Sequence, residues 1–151
     1  MNEEMRRTRE KLLSDFEGQP YGRLLRIKLD DLSEKSATCS MRLGLLHCVV
    51  DSDPQRTTIV QGGAIASLAD FAGVYLARMY GGFSPRIAPL FDLHGLYYRP
   101  CVLGSDITLL AKSSLVSVED KRIVTKVVIE NERGEFKGKA TLIFARKLHD
   151  T

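Results

Sequence analysis

The sequence predicts an α+β fold in which a curved antiparallel sheet wraps one long central helix, with a short helix in front. Three observations predict it. Residues 64–80 carry no charge apart from Asp70 and Arg78, a pattern that belongs inside a protein rather than on its surface. Segments on both sides of that stretch alternate partly between apolar and polar residues, as half-buried strands do. Short polar turns, Glu119-Asp120-Lys121 and Asn131-Glu132-Arg133-Gly134, join the last strands closely enough for a meander.

Each element follows in order. Residues 5–16 are polar with Leu12, Leu13 and Phe16 on one side, an amphipathic helix stopped by Gly18 and Pro20. Segments 24–29 and 37–43 read as two strands of a hairpin around the polar connection 30–36. Residues 47–58 contain Asp51-Ser52-Asp53-Pro54-Gln55, a loop before the central helix. Gly81-Gly82-Phe83-Ser84-Pro85 ends that helix. Strands follow at 88–98, 105–118, 123–131 and 135–146. We read one domain over residues 1–151, with 1–21 as an N-terminal helical extension.

Asp70 is the most informative residue. A carboxylate in an apolar helix faces a large desolvation cost unless it is hydrogen-bonded or lines a cavity. One reading is a buried Asp paired with backbone groups; its neighbours favour a functional one. Gly63 lies seven residues earlier, so at about 100° per residue the two share nearly one face, with Ser67 between them and Val74 beyond. Gly62-Gly63 opens the helix, where backbone N–H groups have no intrahelical partner and the dipole is positive. Such donors suit an anion or a developing oxyanion. Helix rise separates Gly63 from Asp70 by roughly 10 Å, whereas a reacting carbonyl must lie about 3 Å from both donor and attacking group. If both act, they come from different subunits. A helix this apolar also needs more cover than one curved sheet supplies, which independently predicts a dimer.

Gln61-Gly62-Gly63-Ala64-Ile65-Ala66-Ser67-Leu68-Ala69-Asp70 resembles the His-Gly-Gly-x-x-x-(Ser/Thr)-Leu-x-Asp signature of hotdog-fold acyl-CoA thioesterases, in particular the phenylacetate-pathway-like branch. Leu93-His94-Gly95-Leu96-Tyr97-Tyr98-Arg99-Pro100 looks like that family's third-strand ending, and Gly104-Ser105-Asp106 like the opening of its next strand. Gly138-Lys139-Ala140-Thr141-Leu142-Ile143-Phe144 matches its last strand, so the resemblance spans roughly residues 22–146. It implies a hotdog fold, an acyl-CoA substrate and a homodimer or homotetramer built as a dimer of dimers. It further implies Asp70 as general base or nucleophile, the Gly63 N–H as oxyanion donor, Gln61 as a second donor or acyl-orienting group, and Ser67 as orienter of water or carboxylate. Gly62, Val74, Phe83 and Phe91 would line the substrate site, and Arg99 would meet a coenzyme A phosphate. The chain departs from the pattern at Gln61, where the family usually has His. Gln donates a hydrogen bond but cannot shuttle a proton near neutral pH.

Composition narrows the alternatives. A net charge of +3 is too mild to argue for nucleic-acid binding. Cys39, Cys48 and Cys101 are widely spaced and form no metal pattern, so we expect reduced thiols, no metal and no cofactor. The charged start Met1-Asn2-Glu3-Glu4-Met5-Arg6-Arg7 lacks the apolar run of a signal peptide, and the helix at 64–80 is too short and interrupted for a membrane span. We therefore expect a cytoplasmic protein with no membrane partner. There is no Gly-x-Ser-x-Gly elbow and no dinucleotide fingerprint. His94 reads as a strand histidine, His47 as a lesser candidate beside a loop, and His149 as part of a tail. Two rival functions remain: an acyl-CoA or lipid-binding module without turnover, and a hotdog dehydratase, for which no His occupies a motif position.

Overall fold

A computed structural model describes residues 1–49, 53, 58–81, 90–97 and 99–145; for residues 81, 90, 91, 96 and 97 it describes the backbone alone. The chain runs α1 (Glu3–Gly18), α2 (Pro20–Leu24), β1 (Ile27–Leu32), β2 (Ser36–Arg42), a 3-10 turn (Leu45–His47), α3 (Gly62–Gly81), β3 (Leu90–Tyr97), β4 (Thr108–Val118), β5 (Arg122–Asn131) and β6 (Phe136–Ala145). Six strands form one antiparallel sheet in the order β1–β2–β4–β5–β6–β3. The predicted helix inside a curved antiparallel sheet, the hotdog arrangement, is therefore the architecture found.

Three local expectations need correction. Pro20 does not simply end α1; it opens α2, because a proline at the first helical position gives up an N–H that has no partner there anyway. Leu24 consequently belongs to α2 and not to a strand, and Arg26 (φ 55°) turns the chain in the left-handed region before β1 begins at Ile27. The polar segment after Leu29 is not a loop, since β1 continues through Asp30 and Asp31 by way of an irregularity between Leu29 and Asp31. The turn is Ser33–Lys35, held by Ser33 N–H to the Ser36 carbonyl at 2.8 Å.

The meander is β4–β5–β6 alone. β3, first of the later strands in sequence, crosses over to pair with β6 at the sheet edge, with Tyr97 opposite Gly138. β4 starts at Thr108, later than expected, because Ser105 and Asp106 belong to a turn in which Asp106 N–H bonds the Val102 carbonyl at 2.8 Å.

The core lies between α3 and the sheet. Leu68, Ala69, Ala72 and Leu76 of α3 are buried with Met41, Leu109, Ala111, Val127, Ile129 and Leu142 of the strands. Gly73 permits the closest approach: a Cβ there would stand 3.0 Å from Thr125 Oγ1 and 3.1 Å from a Leu142 methyl. α1 and α2 cover another side of α3 through aromatic contacts. Phe16 meets Phe71 and Tyr75 edge-on at 5.4 and 4.9 Å. Asp15 accepts from Arg78 at 2.6 Å and from the Tyr75 hydroxyl at 3.2 Å. Burial pulls the Asp15 carboxyl up, but the Arg78 guanidinium and the Tyr75 hydroxyl outweigh it and hold it below its usual range.

Candidate active site

α3 presents two kinds of surface. Its sheet-facing residues are buried, while Gly63 is exposed and Ser67, Asp70 and Val74 are half-buried. The helical spacing read from sequence thus lines up those residues on one face turned away from the sheet.

The start of that face is an open donor site. Ala64 N–H and Ile65 N–H both bond the Gln61 carbonyl, at 3.1 and 3.3 Å. Gly62 N–H and Gly63 N–H have no hydrogen-bond partner among the described residues. A methyl group on either glycine would meet nothing within 4 Å among the described residues.

Gln61 anchors this helix end. Its N–H donates to the His47 carbonyl at 2.7 Å. Its side-chain Nε2 donates to the Cys48 carbonyl at 3.0 Å. One of the two amide hydrogens is thus committed to the backbone, leaving the other and Oε1 for further contacts.

Ser67 is placed on the expected face, but its hydroxyl is engaged elsewhere. Its Oγ donates to the Gly63 carbonyl one turn back, 2.9 Å away, and lies 3.0 Å from the Tyr21 hydroxyl of α2. Neither contact runs toward Asp70. Small hydroxyl residues in helices commonly bond the carbonyl four residues earlier, which competes with any outward role.

No donor among the described residues hydrogen-bonds the Asp70 carboxylate, and no cation among them pairs with it. Desolvation by burial pushes this carboxyl above its usual range. A half-buried carboxyl that no described residue bonds, with its pKa raised by burial, is a candidate functional group.

The remaining sequence candidates separate. Arg99 is exposed beyond β3, its main chain bonded to the Lys137 carbonyl at 3.3 Å and its guanidinium in no ion pair among the described residues. Phe83 and His149 lie outside the described residues, and so does the side chain of Phe91. His94 is exposed on β3 opposite Thr141. His47 is 1% exposed with both ring nitrogens on main chain: Nε2 on the Leu25 carbonyl at 2.8 Å, Nδ1 accepting from Gly44 N–H at 3.0 Å. It holds the chain together and does not face the site. Among the described residues no cluster of His, Cys, Asp or Glu could hold a metal ion.

Sequence reasoning missed two features. The first is Tyr21, whose reach to Ser67 depends on how α2 packs. The second is a buried network around Asp106. This carboxylate, 1% exposed, accepts 2.9 Å bonds from Asn131 Nδ2, Val102 N–H and Lys137 Nζ, the lysine itself 8% exposed. Burial raises its pKa, yet these bonds outweigh burial and leave it below the usual carboxylate range. The network pins the turn at Gly104 (φ 98°). Backbone bonds then tie that turn to the approach to α3: Val60 N–H to the Cys101 carbonyl at 3.0 Å and Leu103 N–H to the Thr58 carbonyl at 2.8 Å. The Gly-Ser-Asp motif was its sequence signal.

Comparison with known proteins agrees with this fold. The phenylacetic acid degradation protein PaaI from Escherichia coli superposes with a TM-score of 0.80 at 19% identity, covering 96% of each chain. A mutant of PaaI from Thermus thermophilus gives 0.73 at 19% identity, over 85% of this chain and 100% of that one. A mutant thioesterase from Pseudomonas aeruginosa gives 0.68 at 20% identity, over 90% and 91%. At such identities the likeness establishes the fold alone. No curated protein matches the chain by sequence. The family model described as thioesterase superfamily matches residues 58–136, a span that holds the open helix end, Asp70, and Asp106 with its partners Val102 and Asn131. The chain belongs to the thioesterase superfamily.

Proposed function

We propose that this protein is an acyl-CoA thioesterase acting as a homodimer, or as a tetramer built from such dimers. The observation that carries the reading is the outward face of α3, where no described residue bonds the Gly62 and Gly63 N–H groups at one end or the Asp70 carboxyl two turns on. In this reading the thioester oxygen lies on the Gly63 N–H of one subunit, which takes up the charge that develops during attack. Asp70 of the other subunit accepts a proton from water as the water oxygen bonds the carbonyl carbon, and collapse of the adduct breaks the C–S bond and releases coenzyme A. Direct attack by Asp70 through an anhydride is the second form of the same proposal. The second amide hydrogen of Gln61 steadies the acyl carbonyl, and Ser67 holds the first turn in shape. Gly62, Val74, Phe83 and Phe91 line the acyl site, and Arg99 meets a phosphate of coenzyme A.

The rival, acyl-CoA binding without turnover, draws on Gln61, which replaces the family's usual His and spends one amide hydrogen on Cys48. Thiol release from a panel of acyl-CoAs separates the two. We expect turnover by the wild type and a loss of at least about a hundredfold in Asp70→Asn, the range of general-base assistance. Binding without thiol release by the wild type would overturn the thioesterase reading.

A further inference from the structure

Tyr21 lies in the N-terminal extension, outside the residues that the family model matches, yet it reaches the middle of the candidate site. Its ring stacks on Phe71 of α3 with centroids 6.2 Å apart and planes 23° from parallel. Gly22 beside it packs on the same ring, where a Cβ would stand in ordinary contact at 3.4 Å. The Tyr21 hydroxyl lies 3.0 Å from Ser67 Oγ. Ser67 has one hydrogen, and it goes to the Gly63 carbonyl, so the tyrosine donates and the serine accepts. The phenol is still 53% exposed, and Leu24 on the same short helix is 64% exposed. The ring is therefore held by one face and by its hydroxyl, with apolar surface left open to a ligand.

We infer that Tyr21 is a specificity-determining residue of this site: its ring walls the acyl group, and its hydroxyl fixes Ser67 and with it the first turn of α3. The inference rests on the proposed acyl-CoA site. In the proposed two-subunit site the reacting carbonyl lies at Gly63 of one chain and Asp70 of its partner, and Ser67 stands one turn beyond that Gly63 on the same helix face. A group lying over Ser67 therefore meets the phenol that is bonded to it. An apolar acyl chain would pack along the ring edge, and the phenol would limit how far a long or bulky chain extends toward α2. Tyr21 would act on Ser67 as a positioning residue and on the acyl chain by direct contact.

The test uses full-length wild type, Tyr21→Phe and Tyr21→Ala. Binding of non-hydrolysable S-alkyl-CoA thioethers of increasing chain length is measured by calorimetry, and thiol release is measured with the matching acyl-CoAs. Tyr21→Ala should shift the ratio of long-chain to short-chain affinity by about tenfold or more, the scale set by one or two methylenes in an apolar pocket. Tyr21→Phe should keep that ratio and lower kcat by about three- to tenfold at unchanged KM, the worth of one hydrogen bond. A chain-length ratio that is the same in folded Tyr21→Ala as in wild type would overturn the inference, even if the variant melts earlier. The two proposals fail separately. Tyr21-dependent binding without thiol release by the wild type keeps the role of Tyr21 and removes the thioesterase. Thiol release with a chain-length ratio indifferent to Tyr21 does the reverse, and absence of both binding and release removes both.

Discussion

The side-chain amide of Gln61 donates to the main-chain carbonyl of Cys48, 3.0 Å away, and so ties the first turn of α3 to the segment after the 3-10 turn. A residue in a motif position thereby carries a side-chain tie to the preceding segment that the adjacent Gly62 and Gly63 cannot make. Gln61→Ala should cost about 1 kcal/mol of unfolding free energy, the net worth of such a bond, with turnover falling less than about tenfold on the same scale. Gln61→His should preserve or raise turnover, because it restores the family's usual residue. Urea titration and thiol release on both variants check this. A loss of more than about tenfold in folded Gln61→His would give Gln61 a role of its own.

Gly63→Ala separates stability from function. A methyl there meets nothing within 4 Å among the described residues, and replacing a helical glycine by alanine gains up to about 0.5–1 kcal/mol, least at a helix end. Its melting temperature should hold or rise while thioester turnover falls, because the methyl projects where the substrate carbonyl approaches. Equal turnover at higher stability would remove Gly63 as oxyanion donor.

The raised Asp70 carboxyl predicts two opposite pH trends. As a base it must be ionised, so kcat/KM should rise with pH along an acid limb placed above the ordinary carboxylate range. For stability the sign reverses. A native pKa above the unfolded one means that the folded state binds more protons, so stability falls as pH rises from the unfolded value through the native one. Asp70→Asn should abolish the limb and, at neutral pH, hold or gain stability. A limb that survives in Asp70→Asn would assign it to another group.

Asp106→Asn leaves the Lys137 ammonium without its buried carboxylate, a change worth about 3–5 kcal/mol. The native Asp106 pKa is lowered, so its contribution is present above the ordinary carboxylate value and disappears as pH falls through the native one. Denaturation midpoints should therefore drop more steeply below about pH 4 in wild type than in Asp106→Asn. Parallel profiles would mean that Asp106 adds no pH-dependent stability.

Val74→Arg tests the assembly. Val74 is half-buried on the same outward face as Asp70, where a partner helix would lie. Light scattering should find a dimer or a tetramer in wild type, and a monomer lacking turnover in the variant. A wild-type monomer with full activity would end the two-subunit site.

The parts of the fold legible in sequence are those set by local periodicity. The charge-poor run ending at Gly81 marked α3, and its seven-residue spacing placed Gly63, Ser67 and Asp70 on one outward face. Leu24 misled because an apolar residue beside alternating ones looks like a strand, whereas Pro20 had already set a helical turn. The partner of β3 was not legible, since pairing with β6 is decided by closure of the sheet and not by any feature of residues 90–97. The destination of the Ser67 hydrogen and the reach of Tyr21 are tertiary facts of the same kind.

The sheet contains two seams that no hairpin closes, β3–β6 and β2–β4, and the second is the one on which α3 packs. Ser36 pairs with Ser114 and Arg42 with Thr108, so β2 and β4 must find each other across α3, β3 and the connections between them, at a large loop-closure entropy. α3 lies across that seam, its buried side packed on β2 and β4 together. The β1–β2 hairpin and the β4–β6 meander are local and quick to form, and joining them waits for the helix to dock. Changes on the buried side of α3 should therefore slow folding as well as weaken the folded state. Those on its outward side should leave the folding rate alone, a kinetic signature that tells the two faces apart without any substrate.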